Sequence, residues 1–82
     1  MNSITTTWIT DSFLHVQFTD GIVAKVPFSH IPELGGISEP RDTWPEDGGV
    51  ILQLLNGSVI WLSYEFVRPY AYGQGIQLGT ER

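Results

Sequence analysis

From Phe13 to Pro27 the chain reads FLHVQFTDGIVAKVP, with Leu14, Val16 and Phe18 before the Asp20-Gly21 pair and Ile22, Ala24 and Val26 after it. A spacing of two is the period of a strand and cannot form the apolar stripe of a helix, so this stretch must fold as an antiparallel hairpin. Its register can be read as well. A two-residue Asp20-Gly21 turn would set Val16 opposite Lys25 and mix a charge into the apolar face. A three-residue turn with Gly21 left-handed sets Phe18 opposite Ile22, Val16 opposite Ala24 and Leu14 opposite Val26, and leaves His15, Gln17 and Lys25 on the other face. Only the second separates oil from water, and it predicts positive φ at Gly21.

The same reasoning places strands at Ile4 to Ile9, Phe13 to Phe18, Ile22 to Pro27, Val50 to Leu55 and Ser58 to Leu62. Asp11-Ser12 is a short turn that makes the first three a meander. Asn56-Gly57 predicts a two-residue type I′ turn, pairing Leu54 with Val59 and Leu52 with Trp61. Its other face carries Ile51, Ile60 and Leu62, so this hairpin is apolar on both sides and needs cover on both, which predicts a homodimer. Asn56-Gly57-Ser58 also matches a glycosylation sequon, but the turn accounts for it. Ser29 is a candidate cap for one helical turn stopped by Gly35-Gly36, and Ser63 a cap for Tyr64 to Arg68 before Pro69. The expected fold is α+β, a small antiparallel sheet of about five strands with one or two short helical turns. One domain is expected over residues 1–72, followed by a glycine-rich, flexible tail over 73–82.

With no cysteine among 82 residues, disulfides and thiolate metal sites are excluded, and oligomerisation is the natural way to add buried area. Nine acidic residues against four basic ones, a net charge of −5, argue against direct nucleic-acid binding. The N-terminal MNSITTTWIT has neither a basic n-region nor an apolar run, and no stretch is long enough to span a membrane. A cytoplasmic protein of a prokaryote or its phage is expected.

FTDG at a hairpin, then VPFSHIPEL, then EPRDTW and a late strand with a tryptophan resemble the prokaryotic domain-of-unknown-function family 2442, from about Ile9 to Trp61. The matching positions are Asp20, Gly21, Val26, Pro27, Pro32, Leu34, Glu39, Arg41 and Trp44. After Gly49 the chain departs from that pattern: WLSYEFVRPYAY is aromatic and mildly basic where the family often closes with an acidic tail. The resemblance implies a small α+β protein without established catalysis, of a kind often encoded beside another small protein as in a toxin–antitoxin or regulatory pair.

No set of residues spells a reaction. His15 falls on the solvent face of its strand, and the Ser29, His30 and Glu33 grouping reads as local hydrogen bonding. Glu39, Asp42, Glu46 and Asp47 lack the spacing of a calcium loop, and the YGQG of the tail is no phosphate loop, so neither metal nor cofactor is expected. What remains is SEPRDTWPEDGG, where Trp44 stands between Pro40 and Pro45 among charges. Trp44 has two readings: a cover for the open end of the sheet, or an aromatic anchor rimmed by Arg41, Asp42, Glu46 and Asp47. Tyr64, Arg68 and Tyr70 on the C-terminal segment form a second candidate surface. The function expected is a non-enzymatic module that binds another protein as an antitoxin-like neutraliser or regulator. The alternatives are a phage inhibitor of a host defence complex, resembling an anti-CRISPR, and a small-ligand or metal-dependent enzyme.

Overall fold

The computed structural model describes residues 3–34 and 39–72. The Gly35-Gly36 stop and the tail from 73 onward therefore lie outside the described residues. The order is β1 (Ile4–Thr10), β2 (Phe13–Phe18), β3 (Val23–Pro27), 3-10 turns at Phe28–His30 and Pro32–Leu34, β4 (Pro40–Glu46), β5 (Gly49–Leu54), β6 (Val59–Leu62), α1 (Tyr64–Val67) and a 3-10 segment Arg68–Tyr72. The fold is α+β, as the alternation requires. The five strands expected in one sheet are instead six strands in two antiparallel sheets, ordered β1-β2-β3 and β4-β5-β6.

The first sheet follows its side-chain pattern. Leu14 pairs with Val26, His15 with Lys25 and Val16 with Ala24. Phe18 N donates to Ile22 O at 2.9 Å, and Gly21 sits at φ +87°. The Asp20 side chain accepts from Ile22 N and closes the turn. On the other side Thr10 pairs with Phe13 across the Asp11-Ser12 turn, while a bulge at Thr5 shifts the register at the start of β1.

The strand missed from the sequence is β4, which occupies the segment read as a charged loop. Asp47 (φ 51°) and Gly48 (φ 77°) are both left-handed and form a two-residue turn that sets Glu46 against Gly49. The two prolines obscured it, yet β4 is an edge strand, where a missing N–H is tolerated. A second bulge, at Arg41, separates the Pro40–Leu54 pair from Asp42–Gln53.

The β5–β6 hairpin differs from expectation by one residue. Gln53 pairs with Val59, Leu52 with Ile60, Ile51 with Trp61 and Val50 with Leu62. Leu54 N donates to Ser58 O (2.8 Å), Gly57 N to Leu54 O (2.9 Å) and Ser58 N to Asn56 Oδ1 (2.9 Å), with Gly57 at φ +93°. This is the bulged three-residue turn of the first hairpin repeated. Because both faces of β5 and β6 are apolar, segregation could not select the register there. The correction places Trp61 beside Ile51 on the outer face, not beside Leu52 in the core.

The inner faces of the two sheets share one core: Leu14, Val16, Phe18, Ala24 and Val26 from the first, and Val50, Leu52, Leu54 and Leu62 from the second. Ile31 between the two 3-10 turns, Leu34 from the second of them and Val67 from α1 close it. The two sheets meet through β1 and β4. Thr43 donates its hydroxyl to Ile51 O at 2.8 Å, and its oxygen lies 3.1 Å from Thr7 Oγ1. With one hydrogen per hydroxyl, Thr7 donates across this seam.

Ser63 caps α1 as expected, its hydroxyl oxygen accepting from Phe66 N. Ser29 does not act as a cap. It lies inside the Phe28–His30 turn, whose capping position is Pro27. Nor does Pro69 end the C-terminal element, because a 3-10 segment carries the chain on to Tyr72.

Gly49 is the tightest point of the second sheet. A Cβ there would strike the Leu62 carbonyl oxygen and come within 2.7 Å of the Trp61 ring. Gly49→Ala is expected to lower the unfolding free energy by about 2 kcal/mol or more, in the range of overpacked sites. Urea unfolding should show a lower midpoint with an unchanged m-value.

Candidate functional site

The outer face of the second sheet carries two partly accessible tryptophans, Trp44 and Trp61. Alternation along β4 puts Asp42, Trp44 and Glu46 on that face. The register then aligns Trp44, Ile51 and Trp61 as a row across three strands. Ile51 is only 7% exposed, whereas Trp61 keeps 49% and Val59 54% of their surface in solvent. The tryptophans thus flank and shelter Ile51 and remain partly open themselves.

Both indoles are fixed through Glu46. The Trp44 N–H donates to Glu46 Oε1 at 2.9 Å and the Trp61 N–H to Glu46 O at 3.0 Å. Trp61 lies against Gly49, where no side chain intervenes. With their polar atoms satisfied inside the protein, the rings present apolar and π surface at low conformational cost. Asp42 accepts from Thr43 N at 2.8 Å, which steadies the strand beside them. Trp44 lies mid-strand opposite Ile51, not at an open end of the sheet.

Beside Trp61 lies a groove of about 360 Å3, lined by Pro32, Glu33, Trp61, Leu62, Ser63 and Phe66. It joins the second sheet to the Pro32–Leu34 turn and α1. Trp61 and Phe66 were not singled out together from the sequence, because the misregistered hairpin had turned Trp61 inward.

The C-terminal candidates occupy different surroundings. Arg68 donates to Asp20 Oδ2 at 2.8 Å and to Tyr72 Oη at 2.7 Å, and its guanidinium lies 4.6 Å from the centre of the Phe18 ring. The Arg68 and Asp20 side chains are 13% and 27% exposed. The hydrogen bond from Arg68 holds the Asp20 carboxyl below its usual range, and Asp20, then Tyr72, hold the Arg68 proton more firmly. Tyr64 packs edge-on against Phe18 at 5.5 Å. The hydroxyl of Tyr70, its ionisation pushed up by burial, sits 3.1 Å from His30 Nδ1. His30 therefore reaches across to Tyr70, not to the Ser29 and Glu33 expected beside it.

The candidate residues thus separate into distinct clusters. Trp44 and Glu46 join Trp61, with Arg41, Asp42 and Asp47 exposed along the same strand and turn. Tyr64 and Arg68 gather on Phe18, and Tyr70 pairs with His30. On the first sheet, His15 stacks parallel to Trp8 at 5.2 Å and bonds Thr10 Oγ1 at 2.8 Å. Burial and then Lys25 hold its pKa low. Lys25 itself stands 4.3 Å over the Phe13 ring. Among the described residues no three histidine or acidic side chains gather as a metal-binding group, and no helix is long and apolar enough to cross a membrane.

No family model, curated protein or solved structure matches the chain.

The Asp20–Arg68 pair gives a pH prediction with a definite sign. A carboxyl whose pKa is lower folded than unfolded stabilises the fold above its ordinary value of 3.8. That contribution is lost as pH falls through the depressed folded value. Asp20→Asn should therefore lower Tm at neutral pH, and the gap from the parent should close on acidification below that window. Thermal unfolding followed by circular dichroism from neutral pH down through the carboxylate range checks this.

Proposed function

We propose that this chain is a non-enzymatic interaction module that binds another protein through the Trp44–Glu46–Trp61 face. The observation that supports this reading best is the pair of partly exposed indoles whose N–H groups are already bonded to Glu46. Rigid aromatic area at the centre of a surface, with a charged rim, is the make-up of an interface hot spot. The rim here is mainly acidic, with Asp42, Glu46 and Asp47 against Arg41. A protein partner with a basic rim around an apolar centre complements it.

The biological role that fits is an antitoxin-like neutraliser or regulator, in line with the resemblance to domain-of-unknown-function family 2442. The acidity of this face also favours a second reading, a phage inhibitor that occludes a basic nucleic-acid channel of a host defence complex. Competition with DNA or RNA for the target, weakened by salt, distinguishes the inhibitor from the neutraliser. A homodimer through the outer face of β5–β6 is the self-association form of the same surface.

The test is to recover a partner from host extract on the tagged protein, identify it by mass spectrometry, and repeat the binding with both components purified. Trp61→Ala and Trp44→Ala are each expected to weaken the purified complex about 30-fold, the equivalent of ~2 kcal/mol. Arg41→Glu should alter the salt dependence and on-rate more than the off-rate. Folded tryptophan variants that bind the purified partner as the parent does would overturn the proposal.

A further inference from the structure

We propose that the groove between β6, the Pro32–Leu34 turn and α1 receives an arginine side chain of the partner, an assignment that rests on the protein-binding reading above. Aromatic and aliphatic surface from Trp61, Phe66, Leu62 and Pro32 lines it, and among the described residues its one charged lining residue is Glu33. The Trp61 N–H is spent on Glu46 O, and the Ser63 oxygen already accepts from Phe66 N. The strongest polar group left in the groove is thus the carboxyl of Glu33, a hydrogen-bond acceptor. A complementary occupant brings a long apolar stem and a cationic, donating head. Arginine meets both needs, since its planar guanidinium stacks on an indole and forks onto a carboxylate.

The placement of charges strengthens this choice. Of the three basic residues described, Arg68 is tied to Asp20 and Tyr72, Lys25 lies over Phe13 on the first sheet, and Arg41 is exposed on β4, outside the residues that line the groove. None of the three lines the groove. At about 360 Å3 the groove is large enough to take one long side chain as the anchoring residue of a docked protein.

The test uses three peptides, Ac-Ala-Arg-Ala-NH2, its citrulline isostere and Ac-Ala-Leu-Ala-NH2, titrated at low salt into 15N-labelled protein. The arginine peptide is expected to shift the Trp61 indole and the Ser63 and Phe66 amide signals. It should bind about fivefold more tightly than the neutral citrulline isostere, as a charge-assisted contact requires. Glu33→Gln, an exposed and nearly isosteric change, should bring arginine binding down to the citrulline level. Equal binding of arginine and citrulline peptides, or shifts confined to other surfaces, would overturn the assignment. If that happens while a purified partner still depends on Trp44 and Trp61, the arginine site falls and the interaction module stands.

Discussion

The direction in which Trp61 faces depends on the length of the turn that ends four positions before it. With Gly57 at φ +93°, Leu54 and Ser58 close a three-residue turn, and the register places Ile51 opposite Trp61. A two-residue turn would move every side chain of β6 to the other face. Val59 and Trp61 would then point into the core, and Ile60 and Leu62 toward solvent. The aromatic row, the indole bond to Glu46 and the groove beside Phe66 all follow from that one turn. Gly21 does the same for the first sheet, where the Asp20 side chain accepts from Ile22 N as Asn56 does from Ser58 N.

Those two turns also show what was legible in the sequence. The first hairpin could be read to the residue because Lys25, His15 and Gln17 mark one face as polar. The second has only Gln53 and Ser58 as polar markers, so the commonest turn for Asn-Gly was the default, and it was wrong by one residue. Strand β4 was hidden for a different reason. PRDTWPE has two prolines and no alternation of apolar residues, since its inner face is anchored by Thr43 bonding at the seam and not by a buried hydrocarbon. The signal that could have found it was Asp47-Gly48 immediately before a clear strand, a hairpin turn obscured by Gly49.

Of the candidate site, the acidic tryptophan segment was legible by composition, while its geometry was not. Trp44 gains its surroundings from Ile51 and Trp61, residues whose neighbourhood depends on a pairing of β4 that the sequence reading did not contain. Arg68 illustrates the opposite case. Interface-prone by type, it serves inside the molecule, where it joins the first hairpin turn to the C-terminal segment over the buried Phe18 ring. Long-range ion pairs such as Asp20–Arg68 leave no local signature, because the partners lie far apart along the chain.

That internal use of Arg68 bears on the outer surface. A protein with few basic residues that commits Arg68 to an internal tie and holds Lys25 over Phe13 leaves little positive charge to offset its carboxylates elsewhere. The acidic residues of β4 and the Asp47 turn then stand beside the tryptophans with Arg41 as the described cation among them. Like charges at the rim of an apolar face discourage indiscriminate association. On the protein-binding reading proposed above, selectivity for a basic partner would arise from where the fold spends its own arginine and lysine, with no additional recognition element.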